Sequence, residues 1–246
     1  MARTDFLSPR LFVDTPMQEG VRIIPSPGQI NYLVNVLRLL GGARVLVFNG
    51  REGEFAASLD SASRKSAALI VGERLRAQEV APDVEYLFAP LKHARLDYVA
   101  QKAVEMGARR LRPVLTNRTQ ATRVNIDRLR ANVQEAAEQC GVIWLPEVAE
   151  VERLGIALDR WPASRLLVFC DEDAPQANPI SALAARAAPT GVSLLIGPEG
   201  GFDEAEREAI LRLPNVLRIS LGPRILRADT AAVAALALIQ AQMGDW

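Results

Sequence analysis

The sequence predicts an α/β protein in which a small β-rich unit precedes a domain of alternating strands and helices. Three observations carry that expectation. Short apolar runs at 166–170, 192–196 and 216–220 have the composition of strands buried on both faces of a parallel sheet, and 84–89 and 111–115 also read as strands. Apolar stripes at helical spacing lie between several of them. Two of the later runs open directly into glycine-bearing loops, Gly197-Pro198-Glu199-Gly200-Gly201 and Gly222-Pro223-Arg224-Ile225-Leu226-Arg227-Ala228-Asp229, each followed by a helical stretch.

Taken in order, Arg10-Leu11-Phe12-Val13 and residues 43–48 read as strands. Asn49-Gly50 is a strong turn signal, and 53–59 and 67–71 continue the β pattern. One helix intervenes: Ser26-Pro27 opens it, Ile30, Leu33, Val34 and Leu37 give its spacing, and Gly41-Gly42 ends it. A small barrel with one helix over 1–76 fits. Residues 77–83 read as a linker and 84–246 as the second domain. There Leu96, Val99, Ala100 and Ala103 mark a helix that stops at Gly107, and Ile126, Leu129, Val133, Ala137 and Cys140 mark another that stops at Gly141. Asp203 and Glu206 can form a capping box, and Asp229 or Thr230 can cap the Ala-rich helix through 231–239. The acidic Asp171-Glu172-Asp173 run reads as a solvated loop.

Bulk properties narrow the function classes. No apolar run reaches the ~20 residues a membrane-spanning helix needs, and the charges at Arg3 and Asp5 precede no apolar core of a signal peptide. A cytoplasmic protein is expected. Cys140 and Cys170 lack metal-ligand spacing and read as reduced, buried residues; with His93 the only histidine, neither a zinc site nor a Cys–His pair is indicated. Net charge is zero but uneven. Residues 81–130 carry 10 basic and 5 acidic side chains, and residues 131–246 carry 9 and 16. Arginine, which grips phosphate bidentately and stacks on bases, supplies nearly all the positive charge, so RNA fits as a partner, as does a merely solvated surface.

The two glycine loops bring bare backbone amides and carbonyls to the carboxyl ends of strands, where open α/β sheets bind small ligands. Gly197, Gly200 and Gly201 permit positive φ or close backbone approach. Neither a Walker A sequence nor a dinucleotide GxGxxG is present, so a nucleoside triphosphate is a poor fit. Arg227 and Asp229 interrupt the second loop; Arg227 reads equally as a functional arginine or as the partner of a neighbouring acid.

The loop sequences Gly197-Pro198-Glu199-Gly200-Gly201 and Leu221-Gly222-Pro223-Arg224-Ile225-Leu226-Arg227-Ala228-Asp229-Thr230-Ala231 resemble the RsmE family of SPOUT-class methyltransferases. The resemblance extends over most of the chain. It includes Lys92, Gln101-Lys102-Ala103-Val104-Glu105-Met106-Gly107, Pro113, Asn117-Arg118 and Ala137-Glu138-Gln139-Cys140-Gly141, with Arg10-Leu11-Phe12-Val13 and Val36-Leu37-Arg38 near the start. Three positions depart from the family's habit: Asp229 stands for a frequent glutamate, Val142 for an arginine, and Asn31 or a neighbour for a histidine.

The resemblance implies a PUA-like β-barrel followed by a SPOUT α/β domain with a deep trefoil knot, and a homodimer without metal. It implies transfer of a methyl group from S-adenosyl-L-methionine to N3 of a uridine in small-subunit (16S) ribosomal RNA, free or in the assembled subunit. Cofactor contacts are then expected from Leu195, Ile196, Gly197, Gly201, Ile219, Ser220, Leu221, Gly222, Leu226, Arg227 and Ala228. Arg227 or Arg118 would stabilise charge developing on the uracil oxygens, and Glu199 or Glu138 would accept the N3 proton. RNA contacts are expected from Arg10, Arg38, Lys92, Lys102 and Arg118. A SPOUT methyltransferase of another RNA or atom, or a non-catalytic RNA-binding assembly factor, are the competing readings.

Overall fold

The structure is a computed structural model that describes residues 5, 7–63, 66–92, 94–121, 123–174, 178–186 and 190–246; Arg3 and His93 lie outside the described residues. The chain divides into two compact units, Met1–Val80 with Ala137–Leu145, and Ala81–Ala136 with Pro146–Trp246.

The first unit is a five-stranded sheet in the order β1-β3-β4-β5-β2, built from β1 (Arg10–Phe12), β2 (Arg22–Ile23), β3 (Arg44–Phe48), β4 (Glu54–Ser63) and β5 (Ser66–Arg76). β1 runs parallel to β3, and the other pairings are antiparallel. Leu11, Leu33, Val45, Val47, Leu59 and Leu69 fill its core. The expected single α-helix is instead α1 (Pro27–Ile30), opened by the Ser26 and Gln29 capping box, running into a π-helical turn, Asn31–Val36. The wider turn closes with Leu37 N–H bonded to Tyr32 O, and Arg38 at φ 55° stops it, ahead of Gly41-Gly42.

Segment 137–145, read in the sequence as part of the second domain, belongs to the first unit. Arg10 and Arg76 explain why. Both bind the buried Glu54 carboxylate, and Arg10 Nη1 and Arg76 Nη2 donate to the carbonyls of Glu138 and Gly141 at 3.3 and 2.7 Å.

The second unit is a parallel sheet with helices on both faces. Its strands are β6 (Val84–Phe88), β7 (Arg110–Leu115), β8 (Glu147–Val148), β9 (Glu152–Arg153), β10 (Leu166–Cys170), β11 (Val192–Ile196) and β12 (Val216–Ile219), in the order β12-β10-β11-β6-β7-β8, with β9 also on β7. Its helices are α2 (Ala94–Glu105), α3 (Ile126–Cys140, whose last turn joins the first unit), α4 (Leu154–Asp159), α5 (Pro179–Ala184), α6 (Glu204–Leu211) and α7 (Ala228–Met243). Leu87, Leu167, Phe169 and Leu195 pack with α4 and α6 through Leu154, Leu158 and Ile210. Side chains alternate across strands, so Tyr86, Phe88 and Leu194 point to the other face. There α7 packs on β11, α2 and α5.

α7 begins at Ala228 with Arg227 as its N-cap, two or three residues earlier than the expected Asp229 or Thr230 cap; the Asp229 carboxylate instead accepts from Thr230 N–H at 2.8 Å. Both cysteines are half-buried as whole residues, with the Cys170 thiol itself turned inward. β2, β8 and β9, at two residues each, carry no readable period.

Candidate functional site

The site follows from strand order. β10 lies between β11 and β12, with Phe169 opposite Leu195 and Cys170 opposite Ile219, so three strand tips end side by side. The loops leaving them enclose a cavity of about 500 Å³, within the range of small-molecule sites. Apolar lining comes from Phe169, Ile196, Ile219, Leu221, Leu226 and Ala231. Asp171, Glu172, Asp173 and Glu199 add acid, and Arg224 and Arg227 add base.

Backbone conformation shapes the turns. Gly201 has φ 68° and Gly222 φ 103°, the left-handed region that glycine enters at little cost. A Cβ on Gly197 would lie 2.6 Å from the Phe202 ring, which meets Phe169 edge-on with centroids 5.3 Å apart. The first loop therefore rests on an aromatic pair that only a glycine at 197 admits.

The acidic loop after β10 is not simply solvated, contrary to its reading in the sequence. Asp171 is buried; its carboxylate takes Arg207 at 3.0 Å and Arg218 at 2.8 Å, and accepts from Asp173 N–H. Arg207 also pairs with Asp173. Two arginines thus pin the loop and leave Glu172 exposed on the cavity wall. Burial, and then the Asp171 charge, push the Cys170 thiol well up, which keeps it protonated and un-nucleophilic at neutral pH.

The glycine loop after β11 is tied from two further elements. Arg118 Nη1 donates to Gly200 O at 2.7 Å, and Arg95 of α2 pairs with Glu199. Asn117 donates from its backbone N–H to Glu206 and from its amide to Asp203, each at 2.7 Å. Asp203 and Glu206 form the expected capping box of α6. The Glu206 N–H, then the Asn117 amide, then the Arg118 charge hold the Asp203 carboxyl below its usual value.

Ile196, Gly197, Glu199, Gly201, Ile219, Ser220, Leu221, Gly222, Leu226, Arg227 and Ala228 all line the cavity. Leu195 does not; the β11 alternation turns it into the α4–α6 core. Arg118 reaches the site through the Gly200 carbonyl. Glu138 lies in the first unit, where its carboxylate accepts from Phe12 N–H at 2.9 Å. Arg10, expected on a phosphate-facing surface, is buried, its side chain 2% exposed against Glu54. Arg38 and Lys92 are exposed, whereas Lys102 pairs with Glu105 at 2.7 Å. The sequence did not single out Arg95, Phe202 or Arg207, because their partners lie 34 to 104 residues away or in another loop.

Comparison with known proteins assigns the class. Residues 78–240 match the family model of an RNA methyltransferase domain, and residues 26–72 match that of an RNA methyltransferase PUA domain. A strand-tip cavity in such a domain defines the chain as an RNA methyltransferase of α/β type with an N-terminal PUA domain. Ribosomal RNA small subunit methyltransferase E of Bacillus subtilis is 31% identical over 225 residues, covering 87% of this chain and 88% of that protein. Its namesake in Rickettsia conorii is 28% identical over 232 residues, covering 94% of each. The crystal structure of ribosomal RNA small subunit methyltransferase E from Neisseria gonorrhoeae bound to S-adenosyl methionine superposes with a TM-score of 0.86 at 26% identity, covering 97% of this chain and 99% of that one. The chain belongs to the ribosomal RNA small subunit methyltransferase E family.

Among the described residues, no group of His, Cys, Asp or Glu is arranged to hold a metal ion, and no helix is long and apolar enough to cross a membrane.

Proposed function

We propose that this protein methylates N3 of a uridine in small-subunit (16S) ribosomal RNA, with S-adenosyl-L-methionine as donor. The observation that carries the reading is the cavity at the adjoining tips of β10, β11 and β12, in a chain of this family. The lining suits the donor. Ile196, Leu221, Leu226 and Ala231 offer apolar surface to an adenine, and loop amides and carbonyls at 197–201 and 220–222 offer hydrogen bonds. Glu172, left exposed on the cavity wall while Arg207 and Arg218 pair with Asp171 and Asp173, supplies negative charge next to which a cationic sulfur is favoured. When bound, the donor supplies a methyl carbon already activated by its positive sulfur.

The protein's work is then mainly positioning. The target base leaves its stack to reach the cavity. Arg227 is exposed at the cavity mouth and its guanidinium makes no hydrogen bond or ion pair among the described residues, so it is available to the uracil oxygens as N3 loses its proton. Glu199 is the carboxylate at the rim for that proton; Glu138, engaged with Phe12, is not part of this reading. Lys92, Arg118 and Arg224 stand in loops at the same sheet edge and suit RNA phosphates.

The reading includes a knot, a closed barrel, a homodimer and a cytoplasmic location. For the knot, the support is the path of the chain: β12 sits at the edge beside β10, yet α7, which follows it, packs on β11 and α2. For the barrel, it is a five-stranded order with the short β1 and β2 as the two edges to be joined.

The test is methyl transfer to purified small ribosomal subunits against transfer RNA, with nucleoside mass spectrometry. N3-methyluridine in the subunit RNA is expected; product in transfer RNA, or at another atom, would move the reading to a different SPOUT activity. Arg227→Ala is expected to lower turnover about 100-fold or more while calorimetric donor affinity stays close to wild type. Parallel loss of both would make Arg227 a donor-binding residue only.

A further inference from the structure

We infer that Ile225 is the wedge that fills the gap left in the RNA when the target uridine swings into the cavity. This rests on the uridine methyltransferase reading and adds to it a residue that the chemistry at the donor does not require.

Three observations point there. Ile225 is fully exposed, although it lines the cavity mouth, whereas the next residue, Leu226, is half-buried and turns inward. Its neighbours Arg224 and Arg227 are also exposed, and neither side chain makes a hydrogen bond or ion pair among the described residues. The segment is short and anchored at both ends. It leaves β12 through Gly222 at φ 103° and Pro223, and it enters α7 at Ala228 with Arg227 as N-cap. A branched apolar side chain is thus held outward between two cations, beside the opening that the base must enter.

The chemistry of such a tip favours a stacked nucleic acid. Pulling a base from its stack leaves an apolar gap between its neighbours, at a cost of a few kcal/mol. Proteins that open base steps insert Ile, Leu, Phe or Met side chains for that purpose. Arginines on either side suit the phosphates that flank the gap. A second copy of the chain is the less favourable occupant, since docking on this tip would bury two unpaired guanidinium groups.

The prediction separates Ile225 from donor binding. Small ribosomal subunits lacking the modification serve as substrate at saturating donor, and wild type, Ile225→Ala and Ile225→Met are compared for kcat, KM, donor affinity by calorimetry and mass by light scattering. Ile225→Ala is expected to lower kcat about tenfold or more, which is ~1.4 kcal/mol of barrier, with donor affinity and mass unchanged. Ile225→Met, which again fills the gap, is expected to recover most of the loss. An unchanged kcat in Ile225→Ala, a parallel loss of donor affinity, no recovery by methionine, or a change of mass each overturn the wedge, the last in favour of a chain–chain contact. Wild type without transfer to the subunits would overturn the uridine methyltransferase reading itself, a result distinct from all of these.

Discussion

Arg10 shows how far a residue's partners decide its role. From its place in a motif it reads as a cation for phosphate. Folded, it lies 2.6 Å from Glu54 and donates to the carbonyls of Asp5 and Glu138. Arg10→Ala would leave the Glu54 carboxylate buried with Arg76 as its remaining ion-pair partner, at 3.0 Å. Breaking one side of such a pair costs about 3–5 kcal/mol, and denaturant titration is expected to show a loss toward the lower end. The salt dependence of RNA binding by the folded variant should match wild type, because no phosphate contact is removed. Full stability with a shallower salt slope would return Arg10 to the RNA surface. The same contrast explains what could be read in the site. Gly197, Gly201 and Gly222 were legible because a strand tip that turns sharply needs them. Asp171 was not, since its burial depends on Arg207 and Arg218, 36 and 47 residues further along.

At the scale of elements, long apolar runs were legible and short or irregular pieces were not. The runs that became β10 and β11 are almost unbroken and apolar on both faces, whereas β7 and β12 carry Arg112 and Arg218 between buried residues and read as strands from the apolar residues around them. The π-helical turn at Asn31–Val36 shares its apolar spacing with an ordinary helix over so few residues that the pattern does not separate the two. The contact between α2 and α7 turns on Gly107. It ends α2 at φ 73°, and a Cβ there would lie 2.3 Å from Gln240 Nε2, which donates to Met106 O at 2.8 Å. Gly107→Ala combines a strained backbone with the displacement of a buried amide, so a loss of more than about 1 kcal/mol is expected. A thermal midpoint at the wild-type value would show that Gln240 moves aside freely.

At the scale of the molecule, each unit has its own core, and the second depends on its C-terminal helix. Ala231, Ala232, Ala235, Leu236 and Ile239 of α7 are buried. Removing 228–246 is expected to abolish the cooperative unfolding transition of the second unit in calorimetry, and a retained sharp transition would show the sheet stable with that face uncovered. Net charge zero makes long-range attraction to RNA weak, which leaves recognition to the local arrangement of cations. The two-part make-up of the first unit has a practical consequence for anyone recombining such proteins. A gene fragment ending at residue 80 would keep the guanidinium groups of Arg10 and Arg76 but omit the carbonyls of Glu138 and Gly141 that they hold. The N-terminal unit is therefore not transplantable as one continuous stretch; a working graft must carry a nine-residue patch from the middle of the chain along with it.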